Sequence, residues 1–150
     1  MRVCDLMTVA VIAVPPETPV MIARERMERE RIRHLLVTDP TGELLGIITD
    51  RDIRLNLPSR ATSLSVWEVN YLLLRLTVDQ VMTKSVITVG PHRPAADAAR
   101  LMLDHKIGAL PVIQQGRVAG MLTGSDVLKT LVQILDEGIV SRPGRWGRED

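Results

Sequence analysis

The sequence predicts an α/β protein made of two copies of one β-α-β-β-α unit, related by a pseudo-two-fold axis, with a helical insert between them. Three observations lead to this prediction: an internal repeat, apolar segments with strand and helix periodicity, and matching turn residues in both halves. Residues 3–53 align with residues 78–127 at an offset of 75, which falls to 74 after one deletion near Thr41. Seventeen aligned pairs are identical, which is far too many for chance. We therefore expect the chemistry of the protein at positions that both copies retain.

Each copy begins with a short extended segment, residues 9–14 in the first copy and 86–89 in the second, and a proline-containing turn ends it. A helix follows, with Pro19 or Pro94 in its first turn, where proline costs little because that N–H has no helical partner. Small and apolar side chains between residues 95 and 102 recur at helical spacing, which predicts one buried face.

Two apolar strands come next in each copy, and the four segments are 35–38, 44–49, 110–113 and 118–123. The turns between them contain Gly42 and Gly116, which tolerate the backbone conformations that hairpins need. A second helix then begins at Asp50 in the first copy and at Ser125 in the second. Its apolar stripe in the second copy predicts a face that packs against other apolar surface.

The repeat divides the chain into a first copy at residues 1–57, a helical insert at 58–77, a second copy at 78–137 and a flexible C-terminal tail at 138–150. The insert contains an apolar helical pattern with Trp67 and Tyr71 four residues apart on one side. Two interpretations of this helix stay open: a connector that packs on the core, or a surface for a partner.

Composition argues against several functional classes. The 19 basic and 18 acidic residues leave a formal charge of +1, so no overall field favours nucleic acid or an anionic membrane. Two Trp, one Tyr and no Phe leave no aromatic platform for single-stranded nucleic acid. One cysteine forms no intramolecular disulfide, and neither a secretion signal nor an apolar run of about 18 residues is present. We therefore expect a cytoplasmic protein that binds neither nucleic acid nor membrane.

The polar element that both copies retain is G-I-I-T-D-R-D at 46–52 and G-M-L-T-G-S-D at 120–126. The shared residues that can carry chemistry are Thr49, Asp52, Thr123 and Asp126. In each copy the spacing places a hydroxyl, free backbone N–H groups and a carboxylate at one helix N-terminus, which suits a phosphate and a diol. A structural interpretation stays open, because threonine at the N-cap and aspartate three residues later also form an ordinary capping box.

These motifs resemble those of the CBS domain, named after cystathionine β-synthase, and their tandem resembles a CBS pair, or Bateman module. The resemblance covers about residues 1–136 and includes M-T at the start of each copy, I-R-H-L-L-V, I-G-A-L-P-V and the two G-h-h-T-x-x-D motifs. The segment that begins D-I-R-L-N-L-P-S-R at residue 52 and continues into the insert further resembles stand-alone bacterial CBS-pair proteins of the acetoin-utilisation type.

The resemblance implies a regulatory module that senses adenosine-containing nucleotides in two clefts between the copies. In such modules the motif aspartate holds the ribose hydroxyls, the threonine or serine lies near phosphate, and adenine occupies an apolar slot to which the other copy contributes. One cleft would then combine Asp126, Thr123, Ser125 and Met121 with Thr8, Ile12, Ile32, Arg33 and His34. The other would combine Asp52, Thr49, Arg51 and Ile47 with Thr83, Ile87, Ile107, Gly108 and Ala109. With one cysteine in the chain, we expect no metal and no required cofactor. The resemblance implies AMP, ADP, ATP or an S-adenosyl compound as the regulator.

The two predicted clefts differ in charge, because the first copy has R-I-R-H at 31–34 where the second has K-I-G-A at 106–109. Arg33 and His34 are candidates to contact an α-phosphate in the Asp126 cleft, since charge-assisted bonds to phosphate are strong. That His34 is only a surface residue at a strand start stays open. We expect the Asp126 cleft to favour AMP or ADP, and the Asp52 cleft to bind more weakly or to prefer another adenosyl compound.

No nucleophile, base and metal ligand recur together in the repeat, so we expect no catalytic activity. The competing function is structural: a module that dimerises or binds a partner while its clefts stay empty. Apolar residues on the last helix, Leu128, Leu131, Val132 and Leu135, predict a homodimer under both interpretations. As an energy sensor, the protein would act in trans on an effector protein that the sequence does not identify.

Overall fold

The computed structural model describes residues 1–59 and 63–138 of the chain. Its elements are α1 (Val3–Leu6), β1 (Ala13–Val14), α2 (Val20–Glu30), β2 (His34–Thr38), β3 (Leu44–Thr49), α3 (Asp50–Asn56), α4 (Val66–Arg75), α5 (Val78–Val81), α6 (Ala95–His105), β4 (Ala109–Gln114), β5 (Arg117–Thr123) and α7 (Gly124–Asp136). The predicted α/β class with two similar copies and a helix between them is confirmed. The predicted C-terminal tail lies outside the described residues from residue 139 on.

The strands form two sheets, one in each copy. In the first copy β1 pairs in parallel with β2, and β2 pairs antiparallel with β3. In the second copy β4 and β5 form the matching hairpin, with a register irregularity at the corresponding place. Gly42 and Gly116 in the two turns have φ angles of 85° and 76°, as the hairpin prediction requires.

The first strand of each copy is shorter than predicted. Only Ala13 and Val14 form β1, and its counterpart in the second copy is a single parallel bridge between Val89 and Val112. The reason is that the chain just before these segments pairs elsewhere: Thr8 bridges to Met121 in the other copy. Proline at the other end stops the pairing, since it lacks an N–H to donate.

Both long first helices begin directly after proline. Pro19 and Pro94 lie at the N-cap positions of α2 and α6, one residue outside the predicted first turn. The helices end at Arg31 and Lys106, each in the left-handed conformation with φ 53°. Helix α7 begins at Gly124, one residue earlier than predicted.

The sequence analysis missed two short helices, α1 and α5, and these connect the copies. Val3 on α1 is fully buried in the core of the second copy, and Val78 on α5 is fully buried in the core of the first. Val3 N–H donates to the Arg93 carbonyl (2.9 Å), and Val78 N–H donates to the Thr18 carbonyl (2.8 Å). Each copy therefore completes its core with the first turn of the other, and the two cores are interlocked.

The insert helix α4 begins at Ser65, which forms a capping box with Glu68. Leu57 and Leu76 beside it pack on the first core, and the Val20 N–H donates to the Leu76 carbonyl (2.9 Å). The connector interpretation explains these contacts, whereas the Trp67 side chain remains 85% exposed. Within residues 1–59 and 63–138, no helix is long and apolar enough to cross a membrane.

Candidate functional site

Both retained motifs form the same hydrogen-bonded turn at the start of a helix. In the first copy the Thr49 N–H donates to Asp52 Oδ2 (2.9 Å), and the Asp52 N–H donates to Thr49 Oγ1 (3.1 Å). In the second copy the Thr123 N–H donates to Asp126 Oδ2 (2.9 Å), and the Asp126 N–H donates to Thr123 Oγ1 (3.3 Å). The capping boxes of the structural interpretation are therefore formed.

The capping boxes do not use the whole carboxylate. Among the described residues, no hydrogen bond reaches Oδ1 of Asp52 or Asp126. Both aspartates are only half-buried. An ionised carboxylate accepts hydrogen bonds on both oxygens, so each motif can cap its helix and still accept bonds from a ligand.

Each motif strand is bridged by the other copy. Thr8 and Met121 exchange two backbone hydrogen bonds of 2.9 Å. Thr83 and Ile47 do the same at 2.9 and 3.0 Å. The structure thus brings together the cross-copy pairs Thr8 with Met121 and Thr83 with Ile47, as the sequence analysis expected. The ligand-binding role of these residues stays a prediction.

The close approach at each bridge explains why both copies retain a glycine and an M-T pair. A Cβ added to Gly46 would lie 2.8 Å from the Thr83 carbonyl oxygen and 2.5 Å from Met82 Sδ. A Cβ added to Gly120 would lie 2.8 Å from both the Thr8 carbonyl oxygen and Met7 Sδ. The sequence analysis gave Met7 and Met82 no role, although their identity in both copies indicated one. Each methionine side chain packs against the glycine of the other copy.

The structure places Arg33 and His34 beside the motif of their own copy, whereas the charge argument assigned them to the Asp126 cleft. His34 is opposite Thr49 in the β2–β3 register, and the Asp50 N–H donates to the Arg33 carbonyl (3.1 Å). These residues therefore lie beside the motif of their own copy, because the antiparallel hairpin returns the start of β2 to the end of β3. The His34 ring also approaches Gly108 of the second copy, whose Cβ position is 3.5 Å from His34 Nε2. His34 thus marks the junction between the copies.

The second copy repeats this arrangement with smaller residues. Ala109 is opposite Thr123, and the Gly124 N–H donates to the Gly108 carbonyl (2.9 Å). Ala109 is buried, whereas Gly108 is exposed. The predicted cleft residues Gly108 and Ala109 therefore also lie beside their own motif, at the same junction.

Burial lowers the pKa of the His34 imidazole below its ordinary value, while Asp50 and Asp52 act in the opposite direction and Arg33 adds to the lowering. A neutral imidazole donates one hydrogen bond but carries no charge for a phosphate. The electrostatic part of the prediction for His34 is therefore weakened, and Arg33 is the cationic member of the pair.

The other predicted site residues lie at the edges of the two cores or on exposed helix turns. Ile12 and Ile32 are half-buried against the first core, and Ile87 and Ile107 are half-buried against the second. Their partly accessible apolar surface suits the wall of an adenine slot, and that role stays a prediction.

Arg51 and Ser125 occupy corresponding exposed positions in the first turns of α3 and α7. Their contact with a ligand stays a prediction as well.

Two of the cavities among the described residues lie away from the motif aspartates. A cavity of about 360 Å³ lies between α2 and α3 of the first copy. One of about 240 Å³ lies between the copies, and its lining includes Glu43, Lys84 and Ile113. Neither cavity is lined by Asp52 or Asp126.

Solved structures share this architecture over nearly the whole chain. The crystal structure of a Vibrio cholerae protein assigned to acetoin utilization has a TM-score of 0.77 at 28% identity, covering 95% of this chain and 98% of that one. The CBS domain pair of protein MJ0100, in complex with 5′-methylthioadenosine and S-adenosyl-L-methionine, has a TM-score of 0.73 at 26% identity, covering 89% and 97%. CBSX2 in complex with AMP has a TM-score of 0.73 at 31% identity, covering 89% and 98%.

Curated relatives agree with the structures. A CBS domain-containing protein of Dictyostelium discoideum is 33% identical over 133 residues, which cover 88% of this chain and 92% of the relative. Other relatives are much longer: the chain spans 23% of the L-aspartate semialdehyde sulfurtransferase of Methanosarcina acetivorans. The family model of the CBS domain matches residues 3–59 and 78–133. Two matched repeats, the interlocked α/β architecture and these relatives show that the chain belongs to the CBS domain family, as a tandem pair.

Proposed function

We propose that this protein is a regulatory module that binds an adenosine-containing compound between its two copies and signals to a partner protein. The observation that carries the proposal is the duplicated motif: each aspartate is fixed by a capping box beside a cross-copy bridge and keeps one carboxylate oxygen free of hydrogen bonds among the described residues. That oxygen suits the hydroxyls of a ribose. Proteins of the same fold solved with AMP, and with 5′-methylthioadenosine and S-adenosyl-L-methionine, support this ligand class.

The clefts differ in how well they suit phosphate. Beside Asp126 the first helical residues are Gly124 and Ser125, which add no charge. Beside Asp52 they are Asp50 and Arg51, which carry opposite charges, and Arg33 lies next to Asp50. We keep the preference of the Asp126 cleft for AMP or ADP, but base it on the uncharged first turn of α7 rather than on Arg33 and His34. The Asp52 cleft then binds more weakly or prefers another adenosyl compound.

We also propose a homodimer as the functional state. Helices α6 and α7 expose a set of large apolar side chains: Leu103, Leu128, Leu131, Val132 and Leu135. Exposed apolar surface of this kind commonly marks a protein interface, and a two-fold arrangement lets one patch bind its own copy. The effector that reads the ligand state would bind elsewhere, in trans. A free Cys4 suits the reducing cytoplasm in which we place the protein.

The competing proposal is a dimerisation module with empty clefts, and the complete capping boxes favour it because they explain both motifs without a ligand. The two functions separate in a thermal-unfolding series with AMP, ADP, ATP and S-adenosylmethionine. A ligand at about one hundred times its dissociation constant should stabilise the fold by about 2.7 kcal/mol.

The decisive variants are Asp126→Asn and, as its matched control in the other copy, Asp52→Asn. Asparagine keeps a side-chain oxygen for the threonine N–H but removes the negative charge, so the cap survives while the ribose acceptor is weakened. We expect the stabilisation by AMP to disappear in Asp126→Asn and to persist in Asp52→Asn. If millimolar concentrations of all four compounds leave the midpoint of the parent protein unchanged, the sensor proposal fails and the dimerisation module is favoured.

A further inference from the structure

The larger cavity, of about 360 Å³, belongs to the first copy alone and is separate from both motif aspartates. Its lining is Arg24, Met27, Glu28, Arg31, Ile32, Arg33, Asp50, Ile53 and Arg54. Helix α2 with the turn that follows it supplies one wall, and the first residues of α3 supply the other. Four arginines and two carboxylates therefore surround one concave space, and the lining carries a formal excess of two positive charges.

Two of the arginines form exposed ion pairs with carboxylates on their own helices. Arg24 Nε lies 3.3 Å from Glu28 Oε1, and Arg54 Nη2 lies 3.7 Å from Asp50 Oδ2. A guanidinium has five N–H donors, so each paired arginine keeps donors for a ligand. In the part of the chain that the structure describes, Arg31 and Arg33 have no ion-pair partner. The cavity thus presents two paired and two unpaired guanidinium groups together.

The floor of the cavity is apolar. Met27 and Ile53 are buried in the first core, and Ile32 packs against it. The four arginines around this floor are exposed, so their guanidinium groups are accessible to an anion from solvent.

The second copy does not repeat this cluster. The residues aligned with the charged positions are Ala99, Leu103, Lys106, Gly108, Gly124 and Leu128. Only Lys106 among them is charged. The arginine cluster is therefore not part of the framework that the two copies share, and the capping and bridging roles of the repeat do not account for it.

We propose that this cavity binds a compound with two or more linked phosphate groups, at a site that contains neither motif aspartate and shares only Ile32 and Arg33 with the predicted adenosyl-cleft residues. Arginine binds phosphate oxygens in a bidentate manner, and an excess of two positive charges matches an anion with at least two. The volume lies at the lower end of the range for small-molecule sites, and the space is concave rather than flat, which favours a small ligand over a protein surface. The phosphates would belong either to inorganic polyphosphate or to the tail of a nucleotide.

The test is isothermal titration of the full chain with sodium tripolyphosphate at about 50 mM salt, where charge interactions are only moderately screened. The variant is Arg24→Gln with Arg31→Gln, and the matched control is Lys106→Gln, the position aligned with Arg31 in the second copy. We expect one site per chain, affinity at least about tenfold weaker in the double variant because charge-assisted bonds are lost, and unchanged affinity in the control. Arg54→Gln, on the opposite wall, should also weaken binding.

Three results would overturn the proposal: no binding to the parent protein at millimolar tripolyphosphate, equal weakening in Lys106→Gln, or loss of binding when both Asp52 and Asp126 are changed to Asn. The last result would show that tripolyphosphate binds in the adenosyl clefts instead. Because that double variant lacks the adenosyl acceptors, retained tripolyphosphate binding supports this site even if no adenosyl compound binds the parent protein. Competition by ATP in the same variant would identify a nucleotide tail as the source, and failure to compete would identify inorganic polyphosphate.

Discussion

The first and second copies share one framework and differ in the surfaces that they expose. Both have a Thr–Asp capping box, a glycine against an M-T pair, and a helix that begins after proline. On the helical face, however, Arg24, Glu28 and Arg54 of the first copy correspond to Ala99, Leu103 and Leu128 of the second. Helix α3 has seven residues, whereas α7 has 13, and its extension carries further exposed apolar side chains. The shared residues build the junction, and the differing residues give each copy a different exposed surface.

The insert adds to this difference. Helix α4 packs beside α2, and the Leu76 carbonyl accepts the N–H of Val20 at the start of α2. The chain thus covers part of the helical face of the first copy with its own insert. Leu103 on α6 of the second copy is 77% exposed. This difference agrees with the proposals that place the dimer surface on the second copy and the anion site on the first.

The largest effect is expected from truncating one buried leucine in each core, with Leu35→Ala in the first copy and Leu110→Ala in the second. Both leucines are fully buried, at aligned positions of the two sheets. Each substitution should lower the free energy of unfolding by about 2–5 kcal/mol, because it removes buried methyl groups and leaves a cavity. Since α1 and α5 are exchanged between the cores, both copies should unfold in one transition in urea, measured by far-UV circular dichroism.

Leu55, which is 72% exposed and lies outside the proposed dimer surface, gives the control, because Leu55→Ala should change stability by less than about 0.5 kcal/mol. Hydrogen exchange of Leu110→Ala, read separately on peptides of each copy, should show loss of protection in both. Protection that persists in the first copy while the second opens would mean that the copies are independent and that the interlocking contacts carry little energy.

A smaller effect is expected where the copies touch, from Gly46→Ala and Gly120→Ala. In both cases the new Cβ meets a backbone carbonyl oxygen at 2.8 Å, which cannot retreat without stretching the hydrogen bonds of the bridge. Each should lower the free energy of unfolding by about 1–3 kcal/mol. Gly90→Ala is the matched control, because its Cβ meets open space and its φ is not positive. Equal denaturation midpoints for Gly46→Ala and Gly90→Ala would show that the bridge accommodates the new Cβ without loss of stability.

The hairpins and long helices could be predicted because their signals are local. Apolar alternation, a turn glycine and a proline at the helix start fix each of them within a few residues of sequence. Helices α1 and α5 could not be predicted, because four residues make one turn that is not stable alone. These turns are stabilised by burial of Val3 and Val78 in the core of the other copy. The first strands were predicted too long for the same reason: part of the chain pairs with the other copy.

The candidate site likewise has one part that the sequence predicts and another that depends on how the copies pack together. The capping geometry of Thr49 with Asp52 follows from a spacing of three residues, so the motif predicts it directly. The position of His34 depends on how the hairpins meet at the pseudo-two-fold axis, which no local pattern encodes. The arginine cavity had a signal, namely arginines in the first copy without counterparts in the second, but only the packing of α2 against α3 brings Arg24 and Arg54 around one space.

The smallest expected effect is on how stability depends on pH at the junction, where His34 of the first copy corresponds to Ala109 of the second. Because burial holds the pKa of His34 below its ordinary value against the opposing pull of Asp50 and Asp52, the unfolded chain binds a proton at a pH where the folded chain does not. Stability is therefore present above the ordinary histidine pKa of about 6.5 and is lost as pH falls below it. His34→Ala, which gives the first copy the residue of the second, should flatten the fall in the free energy of unfolding between about pH 7 and pH 5.5, measured by urea denaturation at each pH. His105→Ala, at an exposed position on α6, is the control and should follow the parent curve. If His34→Ala and the parent lose stability equally over this range, the junction is not proton-linked, and the difference between His34 and Ala109 is one of packing alone.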